Sequence, residues 1–402
     1  MAIPKEAPQS KQEIRVNKVA RILMLAGAAL AAATTLDAAA QLRVGFDSSA
    51  TGPGASLGVP EKNTMALLPK TMGGLSVTYI YYDDATDPTQ AVLNERKMIV
   101  QDKVDVIIGA SITPAALAMT PIAAEAKVPL ITMSASSSIT NPVEGDKKWV
   151  FKTPQDNIVM ASAVADFFVK KGIKTVGFIG FADSYGQGWW DDFSAQAKTH
   201  GLEIVADERY ARLDTSVTGQ ILRIMAKNPD AVLIAGGGTP AALPQKELRS
   251  RNYKGMTMQT HASANRDFLR VCGADCEGAF LPAGGLLVAE QLPDNNPVKA
   301  SALTYKKAYE AAYGPNSVST FGGHAWDAGL MLNAAVPVAL KAGQPGTEEF
   351  RVALRAALEN INELPGSQGI IDTTPTNHGG MDARARVIVE IKNNDWLLAP
   401  GQ

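Results

Sequence analysis

Residues 104–142 run VDVIIGASITPAALAMTPIAAEAKVPLITMSASSSITNP. The pattern predicts a buried apolar strand over 104–108 that stops at Gly109, a turn carrying Ser111 and Thr113, and a helix opened by Pro114. A second strand over 130–133 then runs into Ser134, Ser136, Ser137 and Ser138. Two strand ends therefore deliver hydroxyls and free backbone N–H groups to one crevice. In an open parallel sheet, ligands bind beyond the carboxyl ends of the strands, and a helix N-terminus carries partial positive charge that favours a carboxylate. The stretch predicts half of a receptor for a small anion.

The same alternation extends on both sides. Residues 42–47 (LRVGFD) predict a first strand. It leads into the loop SSATGPGASLG, where Gly52, Gly54 and Gly58 permit close backbone approach. This loop lacks GxxxxGK[ST], and its glycines do not fit GxGxxG, so it is no phosphate loop. A short helix from Pro60, interrupted at Pro69, a strand over 77–82 and a helix capped by Asp87-Pro88 complete a β-α-β-α-β-α-β order. That order predicts a parallel sheet with right-handed crossovers. Residues 149–153 read as an extended link, after which the alternation restarts with strands over 175–179, 203–205, 231–235 and 256–259. PAGG at 282–285 reads as a second link, followed by helices over 298–313, 323–342 and 347–360 and a terminal strand over 386–392. The fold class is α/β, with two Rossmann-like lobes that the chain enters twice each.

At 402 residues, 46% hydrophobic and 19% charged, the chain is long enough for two cores. Its formal net charge is -2. No long basic run follows the N-terminus, so the charge pattern recommends neither nucleic acid nor anionic lipid as a partner. The N-terminus itself carries Lys11, Arg15, Lys18 and Arg21, then ILMLAGAALAAA over 22–33, then Ala38, Ala39 and Ala40. That succession predicts a cleaved secretory signal peptide over 1–40, with a mature start near Gln41 and export to the periplasm. The residue directly after the cleavage point is Gln41 and not a cysteine, which argues against a lipid anchor. In an oxidising compartment Cys272 and Cys276 of CGADC can close a small disulfide loop, a pair of buried free thiols being the alternative. The four histidines show no ligand spacing with them, so no metal site is expected. An enzyme is not expected either, in the absence of G-x-S-x-G, a suitably placed cysteine nucleophile or an acid pair.

The order of TGPGASLG, DDATDPTQAV, VIIGASITPAALAM, the serine-rich turn ending TNP, IGFADSYGQG, AGGGTP and HAWDAGLML resembles the leucine/isoleucine/valine-binding type of periplasmic solute-binding protein. That resemblance covers nearly the whole mature chain. It implies a type I fold, with two lobes joined by three hinge crossovers that close on a ligand. It also implies an N-terminal lobe from 41–155 and 284–372 and a C-terminal lobe from 156–283 and 373–402. The implied partners are a small carboxylate ligand and the permease of an ABC importer in the inner membrane; no cofactor is implied, and a monomer is expected.

Carried over by position, the resemblance makes Ser56 and Leu57 first-loop contacts, and gives Thr113 the hydroxyl after the third strand. Ser136 and Ser138 fall on the turn that holds the ligand carboxylate. Tyr185, Thr239 and Trp326 stand as contacts from the far lobe and a late helix, while His324 reads as a cap or surface residue. One departure bears on the ligand. Where amino-acid binders of this type carry an acid that pairs with the α-amino group, THASAN places His261. A buried ammonium without an acidic partner is costly, whereas histidine can donate to an anion or a carbonyl. The expected ligand is therefore an aromatic or keto carboxylate without an α-amino group, unless Asp183 or Asp327 takes the acid's place. The alternatives are a branched-chain amino-acid binder of the same type and the periplasmic ligand-sensing subunit of a signalling receptor.

Overall fold

Runs of apolar and β-branched residues form strands that are buried on both faces, as parallel sheets require. The computed structural model describes residues 1, 2, 4 and 41–400. The leader expected over 1–40 thus lies, but for three residues, outside the described part. The first sheet contains β1 (Leu42–Ser48), β2 (Thr71–Met72), β3 (Leu75–Asp83), β4 (Val106–Ile108), β5 (Leu130–Thr132) and β6 (Val150–Lys152). Their order across the sheet is β2-β3-β1-β4-β5-β6, parallel throughout except for the short β2–β3 pair. The connecting helices are α1 (Ala55–Met65), α2 (Pro88–Val100) and α3 (Thr113–Ala126).

The chain then passes into a second sheet. Helices α4 (Asn157–Lys170), α5 (Ser184–His200), α6 (Thr218–Met225), α7 (Ala242–Ser250) and α8 (Arg266–Cys272) alternate with β7 (Thr175–Phe181), β8 (Glu203–Tyr210), β9 (Ala231–Ala235), β10 (Met256–Gln259) and β11 (Phe280–Ala283). Cys272 and Cys276 are joined by a disulfide just before β11. After β11 come α9 (Lys299–Tyr313), α10 (Thr320–Ala339), α11 (Glu348–Leu358) and a small hairpin of β12 (Leu364–Pro365) and β13 (Ile370–Ile371). Met331, Leu332 and Val336 of α10 and Phe350 and Leu354 of α11 share a core with Leu42, Val44 and Phe46 of β1, so these helices cover the first sheet. The chain ends in β14 (Val387–Lys392) and β15 (Asp395–Leu398), which add antiparallel to β11. The second sheet is ordered β15-β14-β11-β10-β9-β7-β8. The backbone therefore passes between the sheets three times: after Lys152, after Ala283 and before Val387.

Two local readings need correction. Residues 149–153 are not a free link, because Val150, Phe151 and Lys152 pair with Leu130, Ile131 and Thr132 as an edge strand. The first helix starts at Ala55 and carries Pro60 inside it instead of beginning there. The tight path is set by Gly58, where a Cβ would lie 2.1 Å from the carbonyl carbon of Ser49. Only glycine lets the helix rest on the β1 loop at that distance. No helix among the described residues is long and apolar enough to cross a membrane.

Candidate functional site

The carboxyl ends of the parallel strands in both sheets face one cavity, with about 390 Å³ of empty space counted together with its opening to solvent. The first sheet contributes Leu57 of α1, Ser111 and Thr113 at the start of α3, and Met133, Ser134 and Ala135 just past β5. From the second sheet come Tyr185 at the start of α5, Arg212 past β8, Gly237 past β9 and His261 past β10, while α10 adds Phe321 and His324. Every wall except α10 and the crossover residue Pro154 therefore comes from a strand end or the helix that follows it.

The polar groups divide into those engaged within the chain and those left open. Ser111 Oγ accepts the Ser49 N–H at 2.9 Å and donates to the Glu61 carboxyl. Burial pushes Glu61, which sits behind the wall, well above the ordinary carboxylate range. The Ser134 hydroxyl donates to the Ala110 carbonyl at 2.9 Å. Thr113 Oγ1, by contrast, is buried with no hydrogen-bond partner. Thr260 Oγ1 donates to the Gly236 carbonyl at 2.8 Å, so the 2.8 Å contact between Tyr185 and Thr260 has the tyrosine as donor. The Tyr185 oxygen keeps only acceptor capacity.

His261 is 3% exposed, and neither ring nitrogen has a partner. Burial, helped by the charge of Lys152, pulls its pKa down to about 3. His324 is also pulled to about 3, by burial and then by His261. Both imidazoles are neutral at pH 7, each offering one N–H and one lone pair. Among the described residues no aspartate or glutamate lines the cavity. Asp183 caps α5 by accepting from the N–H groups of Tyr185 and Gly186. Asp327 accepts the Ser367 N–H at 2.6 Å and is raised to about 7 by burial, away from the lining.

Of the residues expected from sequence, Leu57, Thr113, Tyr185 and His261 line the cavity together. Ser56 and Thr239 meet at its rim, with the Thr239 N–H donating to Ser56 Oγ at 3.3 Å. Ser136 and Ser138 do not line it. Their hydroxyls lie 2.9 Å apart, and Ser136 abuts α5, where a Cβ on Gly188 would come within 2.7 Å of its Oγ. The cavity is reached from this segment by Ser134 and Ala135, nearer the strand end. Trp326 also stands apart, its ring centroid 5.4 Å from that of Tyr305 in the packing of α9 on α10. Two residues along a helix turn the side chain by about 200°, so the face that brings His324 to the cavity sends Trp326 away from it. His324 is accordingly buried, not a surface cap. Arg212, Phe321, His324, Ser111 and Ser134 were not singled out as contacts. For Arg212, the position two residues past a strand end was the available signal.

The Periplasmic binding protein family model matches residues 41–394, and the chain belongs to that family. Its fold is the type I fold of the leucine/isoleucine/valine-binding group, whose members bind small molecules and work with ABC-transporter permeases. A Leu/Ile/Val-binding protein homolog 6 of Brucella abortus (strain 2308) is 28% identical over 118 residues, a stretch spanning 29% of this chain and 29% of that relative. An extracellular ligand-binding receptor from Rhodopseudomonas palustris HaA2 is 44% identical, with a TM-score of 0.87 over 90% of this chain and 100% of that one. The solute-binding protein of an ABC transporter from Rhodopseudomonas palustris BisB5, solved in complex with 3,4-dihydroxybenzoic acid, is 22% identical. Its TM-score is 0.74 over 89% of this chain and 95% of that one, a likeness of fold.

Proposed function

We propose that this protein is the exported substrate-binding component of an ABC importer. It captures a small carboxylate without an α-amino group, an aromatic or keto acid, and presents it to a membrane permease. The observation that carries this reading is the charge of the lining: among the described residues no carboxylate faces the cavity, whereas Arg212 does. An amino acid brings an ammonium that would be buried here without an anionic partner, a cost of several kcal/mol by any reference state. An amino-free carboxylate has no such need and meets Thr113, the N-terminus of α3 and two neutral imidazoles. We assign 41–155 with 284–372 to one lobe and 156–283 with 373–402 to the other, the lobes closing on the ligand as a monomer in the periplasm.

The test is thermal unfolding of the purified protein with leucine, its keto analogue 4-methyl-2-oxopentanoate, and benzoate. A ligand at 100 times its dissociation constant adds about 2.7 kcal/mol, which raises the midpoint by a few degrees. A shift with the keto acid or benzoate and none with leucine is expected. A shift with leucine alone would replace this reading with a branched-chain amino-acid binder.

A further inference from the structure

Arg212 has no part in the expectations drawn from sequence, yet among the described residues it is the one charged side chain on the cavity wall. It is held in a built setting. Its Nε donates to Asp183 Oδ2 at 2.7 Å, and its guanidinium lies over the Phe181 ring, 4.2 Å from the centroid. Its side chain is 15% exposed, and the terminal Nη groups make no hydrogen bond within the described chain. A guanidinium has five N–H donors in a planar fork, so four remain after the Asp183 bond. Asp183 opposes the charge only in part, because its other oxygen is engaged by two N–H groups at the N-terminus of α5. The opposite wall carries the first turn of α3, where the Thr113 hydroxyl is buried without a partner. Tyr185 cannot supply a proton to an anion here, since it donates to Thr260.

We propose that Arg212 is the second-lobe contact for the ligand carboxylate, its Nη groups donating to the anion that Thr113 and the α3 N-terminus hold from the first lobe. The inference rests on the reading of this cavity as an anion site. It makes the ligand's charge the tie between the lobes: a carboxylate bridges α3 and Arg212, while a neutral isostere of the same shape leaves the fork unanswered. Asp183 is then a positioning residue, fixing Arg212 and the N-terminus of α5 with one carboxylate.

The experiment is calorimetric titration of the full chain with benzoate and with benzamide, its neutral counterpart, in wild type, R212Q and R212K. Charge-assisted hydrogen bonds set the expected size: R212Q weakens benzoate binding about 10- to 100-fold and benzamide binding less than about threefold. R212K, which keeps the charge but not the fork, falls between. The circular dichroism and ligand-free midpoint of R212K report whether the site is still folded. Equal benzoate affinity in wild type and R212Q overturns the assignment of Arg212 and leaves the broader reading standing. If leucine proves to be the ligand, the broader reading fails, and R212Q measured with leucine against leucinamide decides Arg212 on its own.

Discussion

Ser56 Oγ accepts the backbone N–H of Thr239 at 3.3 Å, so the first turn of α1 touches the turn after β9 and the elements of the two sheets meet at the rim of the cavity. Gly238, beside this contact, has φ +61°, and a Cβ there would lie 2.6 Å from Ser56 Oγ and 2.7 Å from Leu57 Cδ1. An alanine at this position is strained and collides with the other sheet's loop. Gly238→Ala should therefore fold, with a midpoint lower by a few degrees, and should bind ligand at least about tenfold more weakly because closure is blocked. Small-angle scattering with and without ligand measures closure directly. Wild-type affinity and wild-type compaction in this variant would show that the rim contact is not part of the bound state.

Thr113 gives a test in which stability and affinity move in opposite directions. Its hydroxyl is buried without a partner, so the ligand-free protein carries an unmet polar group. Thr113→Val keeps the shape and removes that group, which should leave the ligand-free midpoint unchanged or raise it slightly. The same change should cost about 0.5–1.5 kcal/mol of carboxylate binding, or about 2- to 12-fold. Loss of stability together with unchanged affinity would mark Thr113 as a helix-start residue only.

Glu95 on α2 predicts a pH effect on stability. Burial raises it to about 9, the Arg96 charge opposing, and neither oxygen has a hydrogen-bond partner. It faces Asp47, itself raised by burial and by Asp84. The unfolded chain loses the Glu95 proton near its ordinary value of 4.5, while the folded chain keeps it to about 9. Between those values the folded state binds more protons, so stability falls as pH rises, by at most about 1.4 kcal/mol per unit from this group. Glu95→Gln removes that slope. The midpoint difference between variant and wild type should grow in the variant's favour from pH 5 to pH 8. A difference that does not change with pH would refute the assignment.

Much of this was legible in sequence because strands buried on both faces announce themselves. Val106–Ile108 and Ala231–Ala235 are uninterrupted apolar runs, and each is followed by a glycine just before residues that line the cavity, Ser111 and Gly237. Boundaries were less legible where tertiary packing decides them: α1 begins before Pro60 because Gly58 rests on Ser49, a contact no local propensity encodes. Cavity-lining positions were legible where the backbone fixes them, as at Thr113 and His261 next to strand ends. Trp326 misled because the helical face of α10 is set by what Tyr305 offers on the neighbouring helix. Arg212 was hidden because its role depends on Asp183 and Phe181, 29 and 31 residues earlier in the chain, brought beside it only by folding.

In the proposed function His261 carries the ligand class, and replacing it by an acid tests that directly. Wild-type His261 is held neutral, its folded value of about 3 lying below the ordinary 6.5, so its contribution to stability is present above pH 6.5 and is lost as pH falls toward 3. A glutamate in the same buried position has the reverse sign: burial raises its folded value, so stability falls as pH rises through the neutral range. Lys152, whose charge helps hold His261 neutral, opposes that rise only in part, because its ammonium is already paired with Asp156 and bonded to the carbonyls of Ala135 and Ser136. The midpoint of ligand-free His261→Glu should therefore drop further below wild type at pH 8 than at pH 5. An ammonium entering the cavity would pair with the new carboxylate and recover that loss. Leucine should then stabilise the variant more than 4-methyl-2-oxopentanoate does, the ratio of affinities moving at least about tenfold toward the amino acid relative to wild type. If the keto acid keeps its wild-type advantage while the pH slope changes as described, the residue is buried as stated but does not face the ligand's α-substituent, and the charge argument for an amino-free ligand falls.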